Sequence, residues 1–228
     1  MNVYNSSMTK KKKIVLGICI GTASILALAV LIPFAILGIR TNSVNTKYQY
    51  LKEDHRYNAK VEVTGVELVT QHISCGYATI EMMSSYYGSK ITEDELSTKN
   101  KGAISTSSSD GFLKELKKSV PDHKFVKHSY LNNDVLLKEI NIALKNENPV
   151  ALEWAAKYEN EWTLHFSLIT SIDLVNDNVT IYNPYGYIEN VSVDEFISRA
   201  SFKAYNNMPL FLNFGFAFGA FEKNAIFY

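Results

Sequence analysis

Two cysteines occur in the 228 residues, and one of them, Cys75, sits where a thiol could react. It lies in TQHISCGYATIEMMSSYYG (residues 70–88), between a loop carrying Gln71 and a helix predicted from about residue 75 to 87. Gly88 supplies the stop for that helix. Unpaired amides and the helix dipole favour negative charge at a helix start. The position therefore predicts a thiol whose pKa is lowered and a nucleophilic thiolate.

A thiolate also needs a base or ion-pair partner, and donors for the oxyanion that forms on an attacked carbonyl. Gln71, four residues upstream, could supply its side-chain amide beside the backbone amide of Cys75. His165 in WTLHFSLIT is the candidate base, on a strand predicted to place His165, Ser167 and Ile169 on one face. Asn183 in YNPYG follows eighteen residues later, after a hairpin-like break at NDN (176–178), so it can fold back beside His165. Its side-chain oxygen could then hold the imidazole in one tautomer. Each residue alone has a plain structural reading: a small buried thiol, a satisfied strand histidine, a Pro-Gly turn. His72 is a rival partner, but it lies too close in sequence to approach the thiol across a cleft. His55, His123 and His128 read as linker or surface residues.

The elements that must position these groups follow from pattern. VEVTGVEL (61–68) reads as an entering strand. Beyond the first helix, a second opens at Thr92 with Glu95 in capping-box spacing. A third follows Asp110, where STSSSD (105–110) forms a capping loop, and ends at Pro121. A fourth spans 132–148 and a short fifth 193–202. Strands are predicted at 149–155, 163–172 and 178–183. Residues 209–228, rich in aromatics alternating with small residues, read as a terminal strand pair on the core, or less plainly as a second membrane-contacting surface. Helices first and an antiparallel sheet second predict an α+β fold.

Charge divides the chain. Residues 1–60 carry 9 Lys/Arg against 2 Asp/Glu, a net of +7, and the remainder carries a net of −7. An acidic globular part excludes phosphate-directed nucleic-acid binding. Residues 14–39 contain no charged side chain and are long enough to cross a bilayer core of about 30 Å. The lysines at 10–13 precede this run and a single Arg40 follows, which predicts an uncleaved signal-anchor with the N-terminus in the cytosol and the rest of the chain outside. The expected plan is a basic cytoplasmic tail (1–13), a transmembrane helix (14–39), a polar linker (40–60) and a folded domain (61–228). Only Cys75 is then exported outside the membrane, so no intramolecular disulfide is expected. The sequence holds no set of residues at metal-ligand spacing and no Gly-rich phosphate loop, so no cofactor is called for.

The pattern Q-x-x-S-C-G-x-A at residues 71–78, a strand histidine at 165 and N-P-Y-G at 183–186 resembles the C39-like cysteine peptidases of the papain-like superfamily. The resemblance covers roughly residues 61–203. It implies the papain-like cysteine peptidase fold, Cys75 as nucleophile, His165 as base, Asn183 as orienting residue and Gln71 as oxyanion donor. It also implies a peptide or protein substrate. Two features depart from the pattern. Asn183 stands where many relatives carry Asp, and Tyr77 stands where a small residue or Pro often follows Cys-Gly, a place from which it could narrow the cleft.

The function expected is a membrane-anchored, extracytoplasmic cysteine peptidase. The alternatives are a non-catalytic peptide-binding module on the same scaffold, and an amidase or transamidase acting on the cell wall. Some relatives trim leader peptides after a double glycine within an export transporter. That role is not expected of a domain placed outside the cell.

Overall fold

The computed structural model describes residues 10–43 and 46–228. The predicted tail, residues 1–13, thus lies largely outside the described residues. Helix α1 (Lys10–Ser43) includes the apolar run Ile14–Ile39, whose mean hydropathy is 2.6; its most apolar stretch holds no buried residue, and only Pro33, Phe34 and Leu37 near its end are half-buried. By length and composition this helix could cross a membrane.

The expected linker is not a free stalk over its described part. Tyr48 and Leu51, three residues apart at the 3-10 turn Gln49–Lys52, are buried in the main core. Thr46 Oγ1 and the Tyr50 hydroxyl both donate to the Asp134 carboxylate, at 2.6 and 2.7 Å. The Tyr48 hydroxyl donates to Asp194. Polar contacts and two apolar anchors thus tie residues 46–52 to the starts of two later helices.

The strand expected over 61–68 is reduced to β1 (Val61–Glu62), continued by one hydrogen bond from Val63 N to Thr170 O (2.8 Å). Gly65, at φ +85°, turns the chain out of the extended conformation. Helix α2 (Cys75–Tyr86) is next, and Ser74 caps it by accepting from the Tyr77 N–H. Helix α3 (Glu93–Lys99) opens with the predicted capping box of Thr92 and Glu95. Helix α4 (Ser109–Ser119) is capped by Ser108. A short β2 (Lys127–His128) and helix α5 (Asn133–Lys145) complete the first half.

The second half is a sheet. Strands β3 (Val150–Tyr158), β4 (Glu161–Asp173), β5 (Asn178–Asn183) and β6 (Tyr187–Val191) form consecutive antiparallel hairpins. The turn after β4 is the one expected at NDN, with Asp177 at φ +56°. Helices α6 (Val193–Ala200) and α7 (Leu210–Ala217) come next, then β7 (Ala225–Phe227), which pairs with β3 and β2. The spatial order is β2-β7-β3-β4-β5-β6, with β1 beside β4, and every pairing is antiparallel. This is the α+β arrangement, helices on an antiparallel sheet, that the sequence predicts.

The terminal segment departs from the expected strand pair. Its small residues mark a close approach, not strand alternation: a Cβ on Gly215 would meet the Phe221 ring at 2.4 Å. The segment coils as a helix starting after Pro209 and leaves only three residues to pair as β7.

Candidate active site

Cys75 is the first residue of α2, and Ser74 has already taken one of the free amides of that end. The residue after it is glycine for a steric reason. A Cβ on Gly76 would meet Thr106 Oγ1 at 2.3 Å and Thr106 Cβ at 2.5 Å, so the loop before α4 packs directly on the helix start. Tyr77 does not narrow the cleft. It is wholly buried, and its hydroxyl donates to Ala103 O (2.7 Å) and accepts from Ser105 N–H (3.0 Å), which pins that same loop.

Cys75 and Phe166, the residue that follows His165 in β4, line one cavity. Burial pushes the thiol up to about 11, while the N–H groups of Phe166, Gly76 and Cys75 itself pull the other way. Burial thus works against the acidified thiol expected from the helix start. Desolvation outweighs the amides and the dipole.

His165 is buried, and the same desolvation holds it down to about 3, against the upward pull of its hydrogen bond to Asn183. Desolvation of both groups thus favours a neutral thiol beside a neutral imidazole. Among the described residues no hydrogen bond joins the sulfur to the ring. His165 Nε2 meets Asn183 Oδ1 at 2.9 Å, and the Tyr185 ring stacks on the imidazole with centroids 4.1 Å apart.

The orientation of Asn183 is fixed from both ends. Its Oδ1 also accepts from the Tyr185 N–H at 2.9 Å, and its Nδ2 donates to Glu189 Oε1 at 2.5 Å. Glu189 is held in turn by Arg199, with Nη1–Oε2 at 2.6 Å and Nη2–Oε1 at 3.2 Å. Arg199 is buried over the Trp154 ring and donates from Nε to Ala155 O. With Oδ1 the acceptor, Nε2 of His165 must carry the proton, and Nδ1 is left as the basic nitrogen.

Gln71 is anchored through its backbone, N to Pro184 O at 2.7 Å, in the loop that carries Asn183 onward to Tyr185. Its side-chain Oε1 is buried without a partner. It lines a cavity with Tyr158, Thr163 and Tyr185. Thr163 also borders a second cavity, of about 430 Å³, that opens at Cys75. The walls of that cavity are largely apolar: Ile104, Trp162, Leu164, Phe166, Phe211, Leu212 and Phe221. The rival partner His72 is engaged elsewhere. Its Nδ1 lies 3.2 Å from Glu93 and its Nε2 3.1 Å from Asp94.

Sequence reasoning missed Tyr185, Glu189 and Arg199. Tyr185 lay inside the NPYG turn already singled out. Glu189 and Arg199 gave no signal, since each reads as an ordinary surface charge on a strand and on an amphipathic helix. The described residues hold no cluster suited to a metal ion.

The model of the Peptidase C39-like family matches residues 63–209. The chain belongs to the Peptidase C39-like family. Among solved structures it is similar to a double glycine motif protease from an AMS/PCAT transporter, in complex with its leader peptide. That likeness is at 15% identity and TM-score 0.43, covering 60% of this chain and 89% of that one. A search of the curated proteins finds no match.

Proposed function

We propose that the protein is a membrane-anchored cysteine peptidase in which Cys75, His165 and Asn183 cut peptide bonds in peptides presented outside the cell. The observation that carries this reading is the 2.9 Å contact of His165 Nε2 with Asn183 Oδ1, an oxygen that also accepts from the Tyr185 N–H. Asn183 Oδ1 accepts from Nε2–H, so the nitrogen left to take a proton is Nδ1, on the residue before Phe166, which lines the same cavity as Cys75.

From the neutral pair, the thiol proton passes to Nδ1 as the sulfur attacks the carbonyl carbon. Substrate that fills the cavity brings sulfur and imidazole into line, as catalytic hydrogen bonds commonly tighten only in the complex. Asn183 Oδ1 stabilises the imidazolium that forms. The backbone N–H of Cys75 and the Gln71 side-chain amide, turned with its nitrogen inward, receive the oxyanion. His165 returns the proton to the leaving amine, and an acyl-enzyme remains on Cys75. Water then attacks it, with His165 as base, and releases the second product.

Family membership and the long apolar helix α1 support the peptidase class and the anchor. The experiment is proteolysis of a mixed peptide library by the full chain in detergent, with products read by mass spectrometry. Cleavage by the wild type and none by Cys75→Ala is the expected result. Equal cleavage by both would refute the assignment.

A second reading has its own observation. No hydrogen bond joins Cys75 to His165 among the described residues, and burial favours the uncharged form of each. If the site stays inert, the chain is a peptide-binding module on this scaffold. Peptide binding by both the wild type and Cys75→Ala, with no cleavage by either, distinguishes it.

A further inference from the structure

Helix α7 is apolar except for Asn213, whose Nδ2 donates to Met208 O at 3.3 Å within the same segment. Leu212 and Phe216, four residues apart, face inward and are buried with Ala155 and Phe202. The opposite stripe is exposed: Leu210 at 75%, Phe211 at 68%, Phe214 at 41% and Phe218 at 59%. The segment 209–221 carries no charge. A helix without a polar face belongs in a core or in lipid.

Its neighbour shows which. Phe214 meets Phe34 of α1 edge to face, with centroids 5.5 Å apart. Leu37 packs on the cluster around Leu212 and Phe216. Pro33, Ile36 and Leu37 share a cavity with Phe216, Ala217 and Phe218. Phe34 lies five residues inside Ile39, the outer end of the apolar run, which at 1.5 Å per residue is about 7–8 Å. That depth falls within the roughly 5–10 Å at which interfacial helices bury their apolar face.

We propose that α7 lies in the outer leaflet with Leu210, Phe211, Phe214 and Phe218 in lipid. The inference rests on α1 spanning the membrane as proposed above. Phe211 and Leu212 also wall the cavity at Cys75. The cleft is therefore held at the bilayer surface, where it meets peptides that are adsorbed on the membrane or emerge from it.

The test uses the full chain in phosphatidylcholine vesicles whose lipids are brominated either near the headgroup or near the chain ends. Tryptophan is introduced singly as Phe214→Trp, Phe218→Trp, Ile25→Trp and Val175→Trp, and quenching is read in excess of the unmodified protein. The expected result is that Ile25→Trp is quenched most by deep bromines and both α7 variants most by shallow ones. Val175→Trp, at an exposed turn far from α7 in sequence, should not be quenched. Quenching at Ile25→Trp with none at either α7 position overturns the docking of α7 and leaves the anchor standing. No quenching at Ile25→Trp overturns the anchor and the docking together.

Discussion

Asn183 donates from Nδ2 to Glu189 Oε1 at 2.5 Å while its Oδ1 meets His165 Nε2 at 2.9 Å. The carboxylate behind the amide decides which way the amide faces, and the amide decides which imidazole nitrogen holds the proton. A carboxylate in place of the amide would face Glu189 at the same distance with no donor between the two. The choice of Asn over Asp in this chain thus has a local cause.

That cause is testable. Asn183→Asp should lower both stability and turnover, and Glu189→Gln in the same chain should restore part of each, because a Gln amide can donate to the carboxylate introduced by the first substitution. A double-mutant cycle on unfolding free energy should give a coupling of about 0.5–3 kcal/mol. Zero coupling would mean that Glu189 does not act on residue 183.

Removing Glu189 takes from Arg199, whose side chain is 5% exposed, its closest carboxylate and leaves it only the more exposed Glu195 at 3.3 Å. Breaking a buried pair by deleting one partner costs about 3–5 kcal/mol. Glu189→Ala should therefore unfold at markedly lower denaturant, and Glu189→Gln should lose less. Denaturant titration of the three proteins measures this.

Glu153 gives a pH signature. It is buried on β3, accepts from Ser109, and burial pushes its carboxyl up to about 8. A folded-state pKa above the unfolded value means that the folded protein binds the extra proton between the two. Stability from this group is full below about 4.5 and is lost as pH rises through about 8. Thermal melts from pH 5 to 9 should show that decline, and Glu153→Gln should flatten it.

Gly76→Ala should displace Thr106 or tilt the start of α2. Overpacking of this kind costs about 1–3 kcal/mol. Because Cys75 is the adjacent residue, the rate of thiol alkylation in the folded state should change along with stability. Stability loss alone, with unchanged alkylation, would separate the glycine from the site.

Much of this architecture is visible in the sequence because it rests on local rules. Thr92 with Glu95 announces a helix start, NDN announces a hairpin, and Gly88 ends α2. The His165–Asn183 pair is reachable because one hairpin joins the two strands that carry them. What escaped depends on distant partners. Tyr48 and Leu51 look like linker residues until the later elements arrive to bury them. The small-large alternation of 209–221 imitates a strand, and only contact with Phe221 and α1 explains it. The pKa of Cys75 follows the same logic: a helix start argues for acidity, but burial against β4 overrides it.

The reaction proposed above makes Cys75 a nucleophile activated by His165. Its most direct measurement is labelling of the folded full chain by a peptidyl acyloxymethyl ketone, with the adduct mapped by mass spectrometry. The account predicts one adduct, on Cys75, formed by the wild type and lost in both Cys75→Ala and His165→Ala. A Cys75 that remains unlabelled in the folded wild type, or one labelled equally fast in His165→Ala, would contradict it.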